Sequence, residues 1–209
     1  MKTFITFSPQ QDVLRSFRYQ TTGNDRLAYG ETRFPIIPAI NGYAEPGEEI
    51  RVIVLCQKYE WCVHNLSYLQ EELETLFREK NLRSAAPDGA LFERVDVPYG
   101  DAVTDHIESF QALIDHIQDG DDLHACITYG SKPAPMVELM AMRYARQLKQ
   151  NTYISCVVYG KIVWNKVEAT KEAFIYDVTA LTHLDDMIRV LAQIGDPNPK
   201  AALDLMLQI

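Results

Sequence analysis

The amino-acid sequence predicts an α/β protein of Rossmann-like architecture, with a mostly parallel sheet, helices on both faces and a short C-terminal helical extension. Short runs rich in Val, Ile and Cys alternate with longer runs in which apolar residues recur every three or four positions. Strands that alternate with helices form βαβ units, whose crossovers place successive strands in parallel. The runs 52–56 and 154–158 are continuously apolar, which is typical of strands buried on both faces.

Individual elements follow from these patterns. The predicted strands are 2–7, 51–56, 92–97, 123–128, 153–159 and 173–178. Apolar stripes at helical spacing, which we expect to be core faces, occupy 66–77, 103–117, 136–144 and 184–191. Glycines and prolines punctuate 15–50, where we expect a hairpin or extended loop with a short helix near 35–42. A break at Asp196-Pro-Asn-Pro leaves one more helix over 199–209.

Length and composition predict one globular domain. The chain has 209 residues, of which 47% are apolar and 23% charged, and we find neither repeats nor a linker. We expect a Rossmann-like domain over 1–180, with C-terminal helices over 181–209 packed on the same domain. The net charge of −9 excludes a general coat on DNA or RNA, because such binding needs many contacts between basic side chains and phosphates.

The sequence also predicts a cytoplasmic protein with no membrane contact. The apolar run at the start of the sequence is too short and too interrupted for a signal peptide. No segment approaches the run of about 20 apolar residues that a membrane helix needs. The cysteines lack Cys-x-x-Cys spacing, and we expect buried free thiols at Cys56, Cys62, Cys126 and Cys156.

Several enzyme classes are excluded by missing motifs. The sequence contains no Gly-x-Gly-x-x-Gly, no phosphate-binding Gly-x-x-x-x-Gly-Lys-Ser/Thr loop, no Gly-x-Ser-x-Gly elbow and no His-Glu-x-x-His. Dinucleotide dehydrogenases, P-loop enzymes, α/β hydrolases and zinc peptidases are therefore disfavoured. The five histidines lie in different elements without ligand spacing, so we expect neither a metal site nor a cofactor.

One turn, after the predicted strand 123–128, favours an anionic ligand. It contains the hydroxyls of Thr128 and Ser131 around Gly130, followed by Lys132 and by Pro133 near the first helical turn. Free N–H groups at a helix start, beside a small residue and a lysine, bind phosphate well. The alternative is a capped turn that binds nothing, and the residues alone support both interpretations equally.

A second polar loop follows the first predicted strand. In a parallel sheet the carboxyl ends of strands one and four open on the same side, so Ser8, Gln10 and Gln11 could face Lys132. Trp61 follows strand 51–56 and is either a stacking surface for a base or a core residue. Acidic residues at 101, 105 and 108 are interpreted as favouring the start of the next helix.

The stretch 128–136, Thr-Tyr-Gly-Ser-Lys-Pro-Ala-Pro-Met, resembles the signature of CRISPR-associated Rossmann fold (CARF) domains, roughly Thr-Gly-Gly-Thr-Lys-x-Met. Tyr129 stands where that pattern has its first glycine, Ser131 replaces the threonine, and Met136 comes two positions late. The family also has a polar ligand loop after strand one, and often Asp-x-Thr after a late strand, as at 177–179.

This resemblance implies a sensor of cyclic oligoadenylates, the second messengers of type III CRISPR antiviral defence. Such domains form two-fold homodimers that hold the ring across the axis, and cyclic tetra-adenylate is the expected ligand. Together with Trp61, the ligand-binding residues that we expect are Ser8, Pro9, Gln10, Gln11, Thr128, Tyr129, Gly130, Ser131, Lys132, Pro133 and Met136.

Three functions stay open at this point. No arginine precedes a histidine at the Arg-x(4–6)-His spacing of HEPN ribonucleases, which favours a lone binding module with an unknown effector partner. The second function is a ring nuclease that cleaves the messenger by metal-independent attack of the ribose 2′-OH, for which the resemblance implicates Ser8 and Lys132 as catalytic. The third is an unrelated nucleotide-binding α/β enzyme, such as a nucleotide hydrolase or a methyltransferase.

Overall fold

In the computed structural model, which describes residues 1–165 and 170–207, the strands of the described chain pair into one mixed sheet flanked by helices. The strands are β1 (Lys2–Phe7), β2 (Phe17–Thr22), β3 (Glu31–Thr32), β4 (Glu49–Gln57), β5 (Arg83–Ser84), β6 (Glu93–Val97), β7 (Asp122–Cys126), β8 (Tyr153–Asn165) and β9 (Thr170–Asp177). The helices are α1 (Ile36–Tyr43), α2 (Glu60–Lys80), α3 (Val103–His116), α4 (Ala134–Leu148), α5 (Ala180–Ile194) and α6 (Pro199–Met206). The predicted Rossmann-like α/β class is confirmed.

The centre of the sheet is parallel, in the order β6-β4-β1-β7-β8. The chain runs outward from β1 through β4 to β6, then returns to the other side of β1 for β7 and β8. This is the order 3-2-1-4-5 of Rossmann folds, in which the direction of winding reverses beside the first strand. Register pairs Thr6 with Cys126 and Phe7 with Leu55, so the carboxyl ends of β1, β4 and β7 meet at one edge.

The far side of the sheet is extended by the segment that glycines and prolines interrupt. β9 is antiparallel to β8, β2 pairs with β9 in parallel, and β3 is antiparallel to β2. The hairpin and the short helix expected within 15–50 are thus present as the β2–β3 pair and α1. The sequence pattern did not predict that β2 joins the main sheet, because its partner there, β9, is distant in the chain.

The core prediction holds for α2 and β4. The α2 stripe is buried at every predicted position, namely Leu66, Leu69, Leu73, Leu76 and Phe77. All of β4 after Glu49 is buried, as expected for a central parallel strand. The four cysteines are buried and form no disulfide, as predicted.

The core prediction is wrong for part of the stripes of α3 and α4, although Ile117 at the end of the first stripe is buried. Val103 and Ile107 of α3 are 73% and 51% exposed, and Met136 and Met140 of α4 are 65% and 52% exposed. The buried side of α4 is instead built largely from smaller residues that approach the sheet closely, namely Ala134, Val137, Ala141, Met142 and Ala145. The large apolar side chains therefore form a surface.

By its internal contacts the chain divides into two compact units, Met1–Asp177 and Val178–Ile209. In the second unit, α5 ends at Gly195, whose φ of 65° is left-handed, and the side chain of Asn198 caps α6 through the N–H of Ala201. The helix expected over 199–209 is present as α6. Among the described residues, no helix is both long enough and apolar enough to span a membrane.

A buried ion pair joins strands at the amino edge of the sheet. Arg51 of β4 and Asp121, which precedes β7, are 5% and 2% exposed and form a salt bridge. Asp121 also accepts a hydrogen bond from the N–H of Gln118 at 2.8 Å, and Arg51 donates to the hydroxyl of Thr3 at 3.4 Å. Since β1 lies between β4 and β7, this pair ties all three strands together.

We expect Asp121→Ala to lower the free energy of unfolding by about 3–5 kcal/mol, because it leaves a buried guanidinium without a counter-charge. The control is Asp96→Ala, which removes an ion pair with Arg94 whose side chains are 41% and 50% exposed. That exposed pair should contribute less than about 1 kcal/mol. Urea denaturation followed by circular dichroism measures both variants, and equal losses would contradict the prediction.

Candidate functional site

A pocket of about 410 Å³ opens at the carboxyl edge of the parallel strands. Residues that end or follow four neighbouring strands line it, namely Gln10, Gln57, Tyr99, Gly100, Asp101, Ser131 and Lys132. The pocket spans the position between β1 and β7 where winding reverses, which is where open α/β sheets bind ligands. Gln10, Ser131 and Lys132 were predicted for the site from the sequence, and they line the same pocket.

The loop after β1 is held in place by Asn65 of α2. The fully buried Asn65 amide donates hydrogen bonds to the carbonyl oxygens of Pro9 at 3.0 Å and Gln11 at 2.9 Å. Between these two anchors, the Gln10 amide donates to Oε1 of Gln57 at 2.5 Å. The loop therefore presents Gln10 to the pocket from a fixed backbone.

Ser8 lies beneath this loop and is 1% exposed. Its N–H donates to the carbonyl of Leu55 at 2.8 Å, and its hydroxyl donates to the carbonyl of Cys62 at 2.6 Å. The Cys62 thiol in turn donates to the carbonyl of Ser8 at 3.8 Å. Ser8 thus ties the end of β1 to β4 and α2, and Gln10 forms the pocket wall at this point.

The turn after β7 requires glycine at position 130. Gly130 has φ of +100°, and a Cβ there would lie 2.5 Å from the Ala134 Cβ and 3.1 Å from the Phe7 ring. The turn is also tied to β8, because the Thr128 hydroxyl accepts a hydrogen bond from the N–H of Gly160 at 2.8 Å. These contacts let the chain turn sharply from β7 toward the pocket.

Tyr129 is anchored on the other side of the turn. Its hydroxyl donates to the carbonyl of Arg33 at 2.5 Å, and its ring packs edge-on against Phe34 with centroids 6.3 Å apart. Burial raises the pKa of the Tyr129 phenol well above its ordinary value. With Gln11 it lines a second pocket of about 340 Å³.

Anion donors are concentrated in the turn itself. Lys132 is exposed, and within the described residues no hydrogen bond or ion pair engages its ammonium or the N–H groups of Ser131 and Lys132. The first helical turn contributes little, because Pro133 and Pro135 have no N–H and that of Met136 donates to the Pro133 carbonyl at 3.0 Å. The free N–H groups predicted for the helix start lie instead just before it.

Three of the predicted ligand residues, Gln10, Ser131 and Lys132, line this pocket, and the others lie outside its wall. Trp61 is on the first turn of α2, where its ring contacts His64 edge to face with centroids 5.7 Å apart. Met136 faces the exposed surface between α3 and α4. The aromatic side chain of the pocket is Tyr99, which follows β6.

Gln57, Tyr99 and Asp101 line the pocket although the sequence reasoning did not place them there. The sequence could have indicated these three residues, because they follow the predicted strands 51–56 and 92–97. Ligands of open α/β sheets bind at the carboxyl ends of the strands. Asp101 was interpreted, together with Asp105 and Glu108, as favouring the start of α3. For Asp105 this is confirmed, because its carboxylate accepts a hydrogen bond from the N–H of Ala102 at 3.2 Å.

Burial disfavours the charged forms of Cys62, Cys126 and Glu138. Burial raises the pKa of the Cys62 and Cys126 thiols to about 12, so neither is a thiolate nucleophile at neutral pH. Glu138 of α4 is fully buried with both carboxyl oxygens lacking a hydrogen-bond partner in the described chain, and burial raises its pKa well above the ordinary value. Over residues 1–165 and 170–207, no group of three or more His, Cys, Asp or Glu side chains could hold a metal ion.

Comparison with known proteins finds no family model and no curated protein sequence that matches this chain. The function of the site is therefore argued from its residues and geometry.

We expect Gly130→Ala to destabilise the protein more than Gly120→Ala does. Both glycines have positive φ, +100° and +80°, but an added Cβ at Gly120 would have no heavy atom within 4 Å. The left-handed backbone costs about 1–2 kcal/mol in each variant. The steric contacts at Gly130 should add about 1–3 kcal/mol. Chemical denaturation measures the difference, and equal losses would show that the turn tolerates a side chain.

Proposed function

We propose that this protein is a CARF-type sensor that binds a cyclic oligoadenylate, with cyclic tetra-adenylate as the ring, across a homodimer interface in type III CRISPR antiviral signalling. The observation that carries the proposal is the unpaired Lys132 in a pocket built from the ends of β1, β4, β6 and β7. Three of its residues, Gln10, Ser131 and Lys132, come from the two loops through which the sequence resembles CARF domains.

Charge supports a small ligand over a polymer. A cyclic oligoadenylate carries one negative charge per nucleotide, and the pocket offers the Lys132 ammonium and the free N–H groups of the turn. A chain with net charge −9 lacks the broad basic surface that long nucleic acids need. A few donors in one concave site are sufficient for a small anion.

The apolar surface of α3 and α4 supports a two-fold dimer. A groove of about 370 Å³, here called the α3/α4 groove, is lined by Val103, His106, Ile107, Phe110, Pro133, Met136, Val137 and Met140. The groove adjoins the pocket along the chain on both sides. Pro133 of the groove directly follows Lys132 of the pocket, and Val103 of the groove comes two residues after Asp101. An isologous contact through this groove brings two copies of the pocket together and removes the exposed methionines from water.

The position of Ser8 favours binding over cleavage. A ring nuclease of the kind implied by the resemblance would use Ser8 and Lys132 beside the reacting phosphate. The Ser8 hydroxyl is instead buried and donates to the Cys62 carbonyl. Lys132 can stabilise phosphate charge, but the buried Ser8 hydroxyl does not lie beside it in the pocket wall.

We expect cyclic tetra-adenylate to raise the melting temperature of the wild-type protein. At a concentration about one hundred times Kd the ligand adds about 2.7 kcal/mol, which corresponds to about 5–10 °C for a chain of this size. Lys132→Ala should weaken binding at least about tenfold, because it removes a charge-assisted contact. Thermal shift and isothermal titration calorimetry measure both effects.

The control variant is Lys149→Ala, since Lys149 lies directly after the other end of α4. It should bind like the wild type. Cyclic hexa-adenylate, ATP, NAD and S-adenosylmethionine complete the ligand panel, and a shift with one of the last three alone would favour an unrelated nucleotide enzyme. Chromatography of the incubated ring should recover it intact, whereas linear products that depend on Lys132 would establish a ring nuclease.

We expect the wild-type protein to be a dimer and Met136→Glu to be a monomer with weakened ligand binding. The variant places a charge in the α3/α4 groove, where burial in a dimer would leave it unpaired. Leu148→Glu is the matched control, because Leu148 is 69% exposed at the carboxyl end of the same helix and outside the groove. Sedimentation velocity measures both masses, and a dimer that survives Met136→Glu would exclude the groove as the interface.

A further inference from the structure

The pocket has two walls of different chemistry. On one side lie Lys132 and Ser131, which suit a phosphate. On the other lie Tyr99, Gly100 and Asp101, which join β6 to α3. A site for phosphate alone would not place a carboxylate and an aromatic ring in the same cavity. The second wall therefore suggests a ligand with a planar, hydrogen-bonding group beside its phosphate.

The aromatic side chain of this wall is held in position by a second tyrosine. The rings of Tyr99 and Tyr59 stack with centroids 4.5 Å apart and planes 11° from parallel. Tyr59 directly precedes α2, so it belongs to the neighbouring strand connection. Tyr99 is 53% exposed and lines the pocket, which leaves ring surface for a planar ligand.

The loop that carries Tyr99 and Asp101 passes close to the start of α3. A Cβ on Gly100 would lie 2.1 Å from the Asp105 carboxylate, which itself accepts a hydrogen bond from the N–H of Ala102. Asp101 and Lys132 line the same pocket, yet neither makes an ion pair or a hydrogen bond with any described residue. Both side chains are exposed, so both charges are accessible to a ligand in this pocket.

We propose that Tyr99 and Asp101 recognise an adenine base, Tyr99 by stacking and Asp101 by accepting a hydrogen bond from the exocyclic amino group, while Lys132 holds the adjoining phosphate. This inference rests on the proposed binding of cyclic oligoadenylate and assigns its base specificity. A carboxylate is an acceptor only, so it favours a base that presents an amino group over one that lacks it. Stacking on tyrosine contributes affinity for any purine.

The stacking part is tested with Tyr99→Ala and its matched control Tyr99→Phe. Removing the ring should weaken binding of cyclic tetra-adenylate about ten- to a hundredfold, and Tyr99→Phe should bind within about threefold of the wild type. Isothermal titration calorimetry gives the affinities. Equal binding by Tyr99→Ala and the wild type would overturn the role of Tyr99.

The specificity part compares cyclic tetra-adenylate with the same ring built from purine riboside, which lacks only the amino groups. The wild type should prefer the adenine ring about tenfold or more. Asp101→Ala should reduce this preference to about one while still binding the purine ring, because the phosphate contacts of Lys132 are intact. Asp115→Ala, which removes an exposed carboxylate on α3, should keep the wild-type preference.

The outcomes separate the two proposals. If the wild type binds no cyclic oligoadenylate, the proposed function and this inference both fail. If the wild type binds the adenine ring, and Asp101→Ala retains its full preference over the purine ring, the base-recognition role is wrong and the sensor function stands. Circular dichroism of each variant shows that folding is retained, as expected for substitutions at exposed positions.

Discussion

The pairing of β1 with β4 on one side and β7 on the other is the constraint on which the site depends. It brings the loop after β1 and the turn after β7 to the same edge, although more than a hundred residues separate them. Two local anchors then shape that edge. Asn65 clamps the first loop through two carbonyl groups, and Gly130 permits a turn that any larger residue would obstruct.

The parallel core was predictable from sequence because its strands are short apolar runs separated by helical patterns. The place of β2 and β3 at the edge of the sheet was not, because the strand that β2 pairs with, β9, is distant in the chain. The apolar stripes of α3 and α4 gave a partly wrong prediction of the core for another reason. Periodicity locates an apolar face but cannot say whether the sheet or solvent covers it, and α4 buries alanines while exposing Met136.

The candidate site was predictable only in part. Lys132 and Gln10 were predictable because both lie in polar turns at the carboxyl ends of strands, where open α/β sheets bind ligands. Both line the pocket. Ser8 has a suitable residue type and position, but its hydroxyl is engaged by the Cys62 carbonyl, a contact that depends on how α2 packs. Tyr99 requires the stacking partner Tyr59 from another connection, and no local pattern reveals such a pair.

The dimer that we propose would reconcile the negative net charge of the chain with an anionic ligand, and it would also cover the exposed apolar groove. One Lys132 is a weak site for a multiply charged ring in a molecule with net charge −9. The residues that continue from each wall of the pocket, Pro133 and Val103, begin an apolar surface rather than a charged one. In the dimer that we propose, a second copy on that surface would bring a second Lys132 to the ligand without adding positive charge to either chain. The proposal thus assigns the apolar groove to the dimer contact and the pocket to the ligand, as parts of one symmetric site.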